Sequence, residues 1–390
     1  MSSVPDHPTA DWDAATTGMP APLVVLDLDA LTANADDLVR RTAGLPVRVA
    51  SKSLRCRWVL GWVLERPGFA GVMAYSVAEA MWLVRSGLRD VFVAYPSVDE
   101  AALREVAHDD VLRREVTVTV DSVEHVQFLG SVLGSGVSGL GVALDVDASV
   151  RLGPLHLGVR RSPTRTPQEA RTVALAAQDA GLEVRGVMFY DAQVAGLPDS
   201  GPHIRALKRR SVRELLERRA AVVDAVRAAV VDLAFVNGGG TGSLHRFGGD
   251  DAVTELAAGS GLYGPTLFDG YDDFTPRPAM AFAVPVVRRP ARGIVTAFGG
   301  GYVASGEPGW SRVPSPVREG WSLLRTEAAG EVQTPVRGPG VDDLRLGDRV
   351  WMRGAKAGEL LERFDAVHVV RGDTLVASVP TYRGEGRCFG

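Results

Sequence analysis

A single lysine, two runs of small residues and a few polar side chains carry most of the chemistry available to this chain. Lys52 lies within the run Pro46-Val-Arg-Val-Ala-Ser-Lys-Ser-Leu-Arg55, standing just past a short β-branched stretch. An amine held in a cleft at the end of a strand loses hydration, its pKa falls, and it becomes a nucleophile for an aldehyde. The ordinary alternative is a solvated lysine that opens the next helix. The stretch Asn237-Gly238-Gly239-Gly240-Thr241-Gly242-Ser243 offers backbone N–H groups at close range and two hydroxyls, which suits a phosphate monoester dianion. It lacks the Lys-Ser/Thr ending of a nucleotide P-loop. Gly259, Ser260 and Tyr263 form a second small-residue turn able to complete such a cup, with the Tyr263 phenol placed to hydrogen-bond the phosphate. Tyr190 and Gln193 add polar groups, and so do Asp145 and, further along the chain, His156, although a lone histidine is as often structural as functional. The seven histidines show no His-x-x-x-His or His-x-Cys spacing, and no Gly-x-Ser-x-Gly elbow occurs.

Positioning these groups requires strands that end beside them. Nine short apolar runs alternate with amphipathic stretches of helical length: Leu23–Leu28, Val47–Ala50, Ala70–Ala74, Val91–Ala94, Val116–Val120, Gly141–Val146, Val184–Phe189, Leu233–Val236 and Leu256–Gly259. Nine is one too many for a (β/α)8 barrel. The first run is set aside, because Asp27 and Asp29 interrupt it where a doubly covered parallel strand prefers continuous apolar residues. The barrel then begins at Val47, and Lys52 follows its first strand while the glycine loop follows its seventh. That is the carboxyl face, where barrel enzymes place their chemistry. Helices are expected over Arg57–Glu65, over Ser76–Ser86 with a Ser76/Glu79 capping pair, and over the arginine-rich Arg205–Ala229. Acidic residues interleave the arginines of that last helix, which predicts a solvated face rather than a nucleic-acid surface. Beyond about Gly270 prolines and glycines separate short strand-like runs, so the fold class is α/β: a (β/α)8 TIM-type barrel with a second, β-rich C-terminal domain. The expected division is an N-terminal tail over 1–21, a strand over 22–29, the barrel over 30–270 and the β-rich domain over 271–390.

The 390 residues allow two domains and a sizeable core. A net charge of −4 offers no bulk basic surface for nucleic acid. Cys56 and Cys388 show no paired spacing and read as free thiols of a reducing compartment. The first 21 residues contain no apolar run of signal-peptide type, and no stretch reaches the length of a membrane span, so a cytoplasmic protein is expected.

Together these residues resemble the fold-type III pyridoxal-phosphate (PLP) enzymes, the group of alanine racemase, D-threonine aldolase and D-serine dehydratase. The likeness is strongest to the actinobacterial amino acid deaminase/aldolase branch. It spans nearly the whole chain from Pro22, through Val49-Ala-Ser-Lys-Ser53, Tyr190-Asp-Ala-Gln193, the glycine loop, Ala258-Gly-Ser-Gly-Leu-Tyr-Gly264 and Val379-Pro-Thr-Tyr-Arg-Gly-Glu-Gly386. The resemblance implies that Lys52 holds PLP as a Schiff base and acts as a base on one face of the substrate. It also implies that Gly238 to Ser243 with Gly259, Ser260 and Tyr263 hold the phosphate, and that Tyr190 and Gln193 line the ring or substrate. His156 falls where alanine racemase has the arginine facing the pyridine nitrogen, with Arg151 a competing candidate. The first apolar run would dock on the second domain, and the protein would be a homodimer. The implied activity is an aldolase cleaving or forming the Cα–Cβ bond of a β-hydroxy-α-amino acid, with amino acid and aldehyde substrates. Dehydration or deamination, racemisation, and a PLP-carrying homeostasis protein without turnover are the alternatives. One departure stands out: near relatives look like Arg-His-Ala-Lys-Ala-Gly-Glu at a metal-binding place where this chain reads Arg353-Gly354-Ala-Lys-Ala-Gly-Glu359, so a divalent metal is in doubt.

Overall fold

A computed structural model describes residues 9–134, 139–153, 155–230 and 232–390. The chain forms two compact units. One comprises Leu38–Lys52, Leu60–Gly259 and the last two residues, and the other comprises the stretch ending at Asp37, Ser53–Val59 and Ser260–Cys388.

The first unit is a closed barrel of eight parallel strands. In chain order they are Val47–Ala50, Phe69–Ala74, Val91–Val93, Val116–Val120, Gly141–Asp145, Glu183–Phe189, Phe235–Gly238 and Glu255–Ala258. These are the eight runs expected once the Leu23 run is set aside. Strand eight closes on strand one through Leu256 opposite Val47 and Ala258 opposite Val49. The strands are short and rich in Val because both faces are covered; all five residues of Val116–Val120 are buried. The lumen is not wholly apolar. Phe92, Ala143, Met188 and Phe235 pack together, and the buried Arg48 guanidinium lies 5.0 Å from the Phe235 ring centre. Arg48 donates to Glu255 at 2.6 and 2.8 Å and to Asp90 at 3.0 Å, so a charge the pattern of apolar runs does not reveal ties strands one and eight. The intervening helices start as expected: Ser76 accepts from the Glu79 N–H while Glu79 reaches back to the Tyr75 N–H.

The second unit is built on a nine-stranded sheet. The Leu23–Asp27 strand lies within it, antiparallel to Met280–Ala291 and parallel to Ala366–Arg371. Part of the segment expected as a tail is helical: Thr9–Ala15 buries Trp12 against Trp351, with ring centres 5.2 Å apart, and Asp13 accepts from the Trp351 indole N–H. Residues 1–8 of that segment lie outside the described residues. Gln333–Arg337 is a strand despite Pro335, whose missing N–H is tolerated because the neighbouring Ser322–Leu323 strand pairs only with Val336 and Arg337. Among the described residues no helix is long and apolar enough to cross a membrane, and both cysteines are free thiols.

Candidate active site

Lys52 lies in a single 3-10 turn, Ser51–Ser53, that directly follows strand one. Ser51 is fully buried and its hydroxyl donates to the Met73 carbonyl on strand two, which fixes the turn and aims the next side chain out of the barrel's end. Lys52 is exposed rather than enclosed. Its Nζ donates to the Tyr95 hydroxyl at 2.7 Å. Tyr95 lies just beyond strand three, and sequence reasoning passed over it because an isolated tyrosine after a three-residue strand has no distinguishing pattern.

From Tyr95 a line of contacts crosses the carboxyl face. The Arg161 guanidinium stands 6.0 Å from the Tyr95 ring centre and 4.9 Å from that of Tyr190, distances at which a cation is attracted to a ring face. The Tyr190 ring in turn comes within 3.8 Å of where a β-carbon on Gly240 would be. Lys52 and the glycine loop are therefore joined across one face of the barrel by Tyr95, Arg161 and Tyr190. Burial raises the Tyr190 pKa, while the Arg161 charge pulls it back. Arg161 also faces Asp145 at the end of strand five; burial and the neighbouring Asp121 carboxylate lift Asp145 to about 7, with Arg161 opposing them.

The loop after strand seven is a tight turn braced from behind. Gly239 adopts a positive φ of 74°, and a β-carbon on Gly240 would lie 2.8 Å from that of Ala195, so only glycine fits without a shift. Ser243 closes the turn, its hydroxyl accepting from the Gly240 N–H. The Thr241 carbonyl accepts from Arg41 at 2.7 Å, and the Asn237 amide donates to Glu255. Gly238, Thr241, Gly242 and Ser243 are all buried. Beneath them Asp191 is fully enclosed, close to the Ser243 hydroxyl, the Gly239 backbone and the Arg219 guanidinium. Burial lifts its pKa to about 6 against the pull of Arg219 and Ser243. Arg219 is itself fully buried, ion-paired with Asp250 and flanked by the Phe189 and Phe247 rings. It belongs to the Pro202–Arg227 helix, so the expectation that this helix's arginines lie on a solvated face fails at Arg219. The failure has a physical cause: Asp250 and two aromatic rings offset a burial that helical spacing alone does not reveal.

Other sequence candidates lie elsewhere or do other work. Arg151 and His156 face each other on an unexpected antiparallel hairpin, Val150–Leu152 with Leu155–Leu157. Arg151 pairs with Asp147 at 3.0 Å and the His156 Nε2 contacts the Val159 carbonyl at 3.1 Å, so Arg161, not either of these, is the cation over the two tyrosine rings. Gln193 is buried and its amide donates to the Ala148 carbonyl at 2.7 Å, a brace rather than an open lining. Gly259 is buried at the end of strand eight, and Ser260 opens the short helix Ser260–Tyr263. The Tyr263 hydroxyl does not present itself as a phosphate donor: it is buried and donates to the Leu54 carbonyl at 2.9 Å. In the second unit the Gly354 carbonyl accepts from the Thr266 N–H, and Arg353 clamps Gly264, Pro265 and Asp269. Among the described residues no group of three or more His, Cys, Asp or Glu is arranged around a common metal position.

Comparison with known proteins assigns this barrel. Residues 26–266 match the family described as alanine racemase, N-terminal domain. The chain belongs to that family. A curated relative, the 3-hydroxy-D-aspartate aldolase of Paracoccus denitrificans (strain Pd 1222), is 27% identical over 242 residues, which is 61% of this chain and 59% of the relative. The matched region thus spans less than two thirds of that relative's length. Among solved structures, D-threonine aldolase from Filomicrobium marinum superposes with a TM-score of 0.77 at 22% identity, covering 93% of this chain and 96% of the other. D-threo-3-hydroxyaspartate dehydratase from Delftia sp. HT23 gives 0.73 at 18% identity, covering 94% and 98%. At such identities the structural matches establish the fold: this chain has the alanine racemase-like arrangement of a barrel with a β-rich second unit.

Proposed function

We propose that the chain is a PLP-dependent lyase of the aldolase type, acting on the Cα–Cβ bond of a β-hydroxy-α-amino acid. The observation that carries the reading is the continuous line from Lys52 through Tyr95, Arg161 and Tyr190 to the glycine loop. The residues suit the cofactor: a primary amine stands at one end, and at the other is a loop whose Gly240 leaves no room for a β-carbon. Bound there, PLP supplies an electron sink that takes up the negative charge left on Cα when the bond to Cβ breaks.

The protein's own part is positioning and proton handling. Lys52 would hold PLP through its side-chain amine and, once freed, would carry a proton to or from Cα. Tyr95 fixes the Lys52 amine by its hydrogen bond. The N–H groups and hydroxyls of Gly238 to Ser243 would hold the phosphate, and buried Arg219 biases the region behind them toward negative charge. No step is assigned to a metal at Gly354, since glycine supplies no coordinating side chain. The named relatives act on amino acids that carry a hydroxyl on Cβ, which agrees with this reading. A homodimer is part of it and is tested by sedimentation.

The test is spectral and chemical. The purified protein should gain absorbance at about 420 nm on addition of PLP and cleave a D-β-hydroxy amino acid to glycine and an aldehyde. Release of a 2-oxo acid and ammonia would replace the aldolase reading with the dehydratase one. Equal inactivity of wild type and Lys52→Ala on a panel of such substrates would favour a PLP carrier.

A further inference from the structure

Beside the Lys52–Tyr95 pair the barrel unit carries a concavity that the reaction outlined above does not use. Its volume is about 410 Å3, and its basic lining consists of Arg151, His156, Arg160 and Arg161. The chain as a whole is acidic, with a net charge of −4, so this concentration of positive charge is local. Two of the four are already occupied: Arg151 by Asp147 and His156 by the Val159 carbonyl. Arg160 and Arg161 are exposed, and among the described residues neither forms an ion pair or hydrogen bond with a carboxylate. The acid that does face Arg161 is Asp145, and burial keeps that carboxyl near 7, partly protonated at neutral pH and a poor counter-ion.

Arg161 belongs both to this cleft and to the line of contacts that begins at Lys52. Lys52 Nζ is 5.2 Å from the Tyr95 ring centre and the Arg161 guanidinium carbon is 6.0 Å from it, so the two cations are at most about 11 Å apart. In a four-carbon amino diacid the nitrogen lies about 3–4 Å from the distal carboxylate carbon, and a paired carboxylate and guanidinium place their carbons about 4 Å apart. Such a molecule spans about 7–8 Å from its amine to a paired guanidinium carbon, inside the limit of about 11 Å that the two ring distances set on the Lys52–Arg161 separation. A methyl group in place of the carboxylate gives the guanidinium nothing to bind.

We propose that the Arg160–Arg161 cleft is the substrate-side-chain pocket of this site and receives a carboxylate carried on Cβ, making the substrate a β-hydroxy-α-amino diacid rather than an alkyl-bearing one. The inference rests on the aldolase reading for the amino acid part of the ligand. Planar guanidinium forks match a carboxylate in two hydrogen bonds each, and a site built to hold a charge discriminates far more strongly than one that tolerates an extra methyl.

Two measurements on the full-length, PLP-loaded protein test it. In the first, kcat/KM is compared for 3-hydroxy-D-aspartate and D-threonine in wild type, Arg160→Met, Arg160→Lys and the Arg160→Met/Arg161→Met pair. Wild type should prefer the diacid at least 50-fold. Arg160→Met should erode that preference at least tenfold, Arg160→Lys should restore part of it, and the double variant should abolish it. In the second, calorimetric titration with succinate should show saturable binding that weakens at least tenfold in the double variant. Near-UV circular dichroism confirms that the variants are folded. Preference for D-threonine in wild type, or a double variant with unchanged preference and unchanged succinate binding, overturns the proposal. Arginine-dependent succinate binding without turnover of either amino acid would uphold the pocket and defeat the aldolase reading. Turnover of D-threonine without any arginine dependence would do the reverse.

Discussion

The two ends of the line across the barrel's carboxyl face are built on opposite plans. At the strand-one end Lys52 is exposed, and its amine donates to the Tyr95 phenol. At the strand-seven end the loop is buried and backed by Asn237 on Glu255, Arg41 on Thr241 and the enclosed Asp191, Arg219 and Asp250. The difference matches what each end must do. An amine that exchanges partners during a reaction works best where it is exposed and can move. A loop that holds a dianion in one place works best pre-organised, with its N–H groups already directed. The strand-seven end therefore concentrates the stability of the site, and the strand-one end its reactivity.

That comparison breaks most visibly at Glu255. Glu255→Leu leaves the buried Arg48 guanidinium without its closest partner and frees the Asn237 amide, so it should cost about 3–5 kcal/mol in urea unfolding. An effect below about 1 kcal/mol would mean that the strand-seven end is not braced by this pair. Next comes Gly240→Ala, whose new β-carbon would press on Ala195: we expect a loss of about 1–3 kcal/mol and PLP affinity lowered about tenfold in a spectral titration.

Asp145 gives a pH-dependent contrast. Its pKa in the fold is about 7 against an ordinary 3.8. The stability it contributes is therefore complete below about pH 4 and is lost as pH rises through 7, when burial opposes the carboxylate form. Asp145→Asn should raise stability at pH 8 by about 2 kcal/mol and change little at pH 4, as measured by urea titrations at both values. The smallest effect is expected at the strand-one end. Tyr95→Phe removes the hydroxyl that holds Lys52 and should lower kcat/KM about three- to tenfold while leaving stability within about 0.5 kcal/mol.

The barrel was legible because parallel strands covered on both faces read as uninterrupted apolar runs, and their ordinal positions placed Lys52 and the glycine loop on one face. The groups between those two were not legible. Arg161 sits in Val159-Arg-Arg-Ser-Pro163, which reads as an exposed basic loop, and its place over Tyr95 and Tyr190 depends on the hairpin that precedes it. Arg219 keeps helical spacing with solvated arginines and differs from them only in facing Asp250 and two phenylalanines. Tyr263 stands beside small residues in sequence as a phosphate donor would, but its hydroxyl is spent on the Leu54 carbonyl. In each case the deciding partner is remote in the chain, which local composition and periodicity do not encode.

The central claim is that Lys52 holds the cofactor. Reduction of the PLP-loaded protein with borohydride, followed by proteolysis and mass spectrometry, tests it without relying on turnover. The account predicts one phosphopyridoxyl adduct, on the peptide containing Lys52, and its absence from Lys52→Ala; an adduct on another lysine, or none, would contradict it.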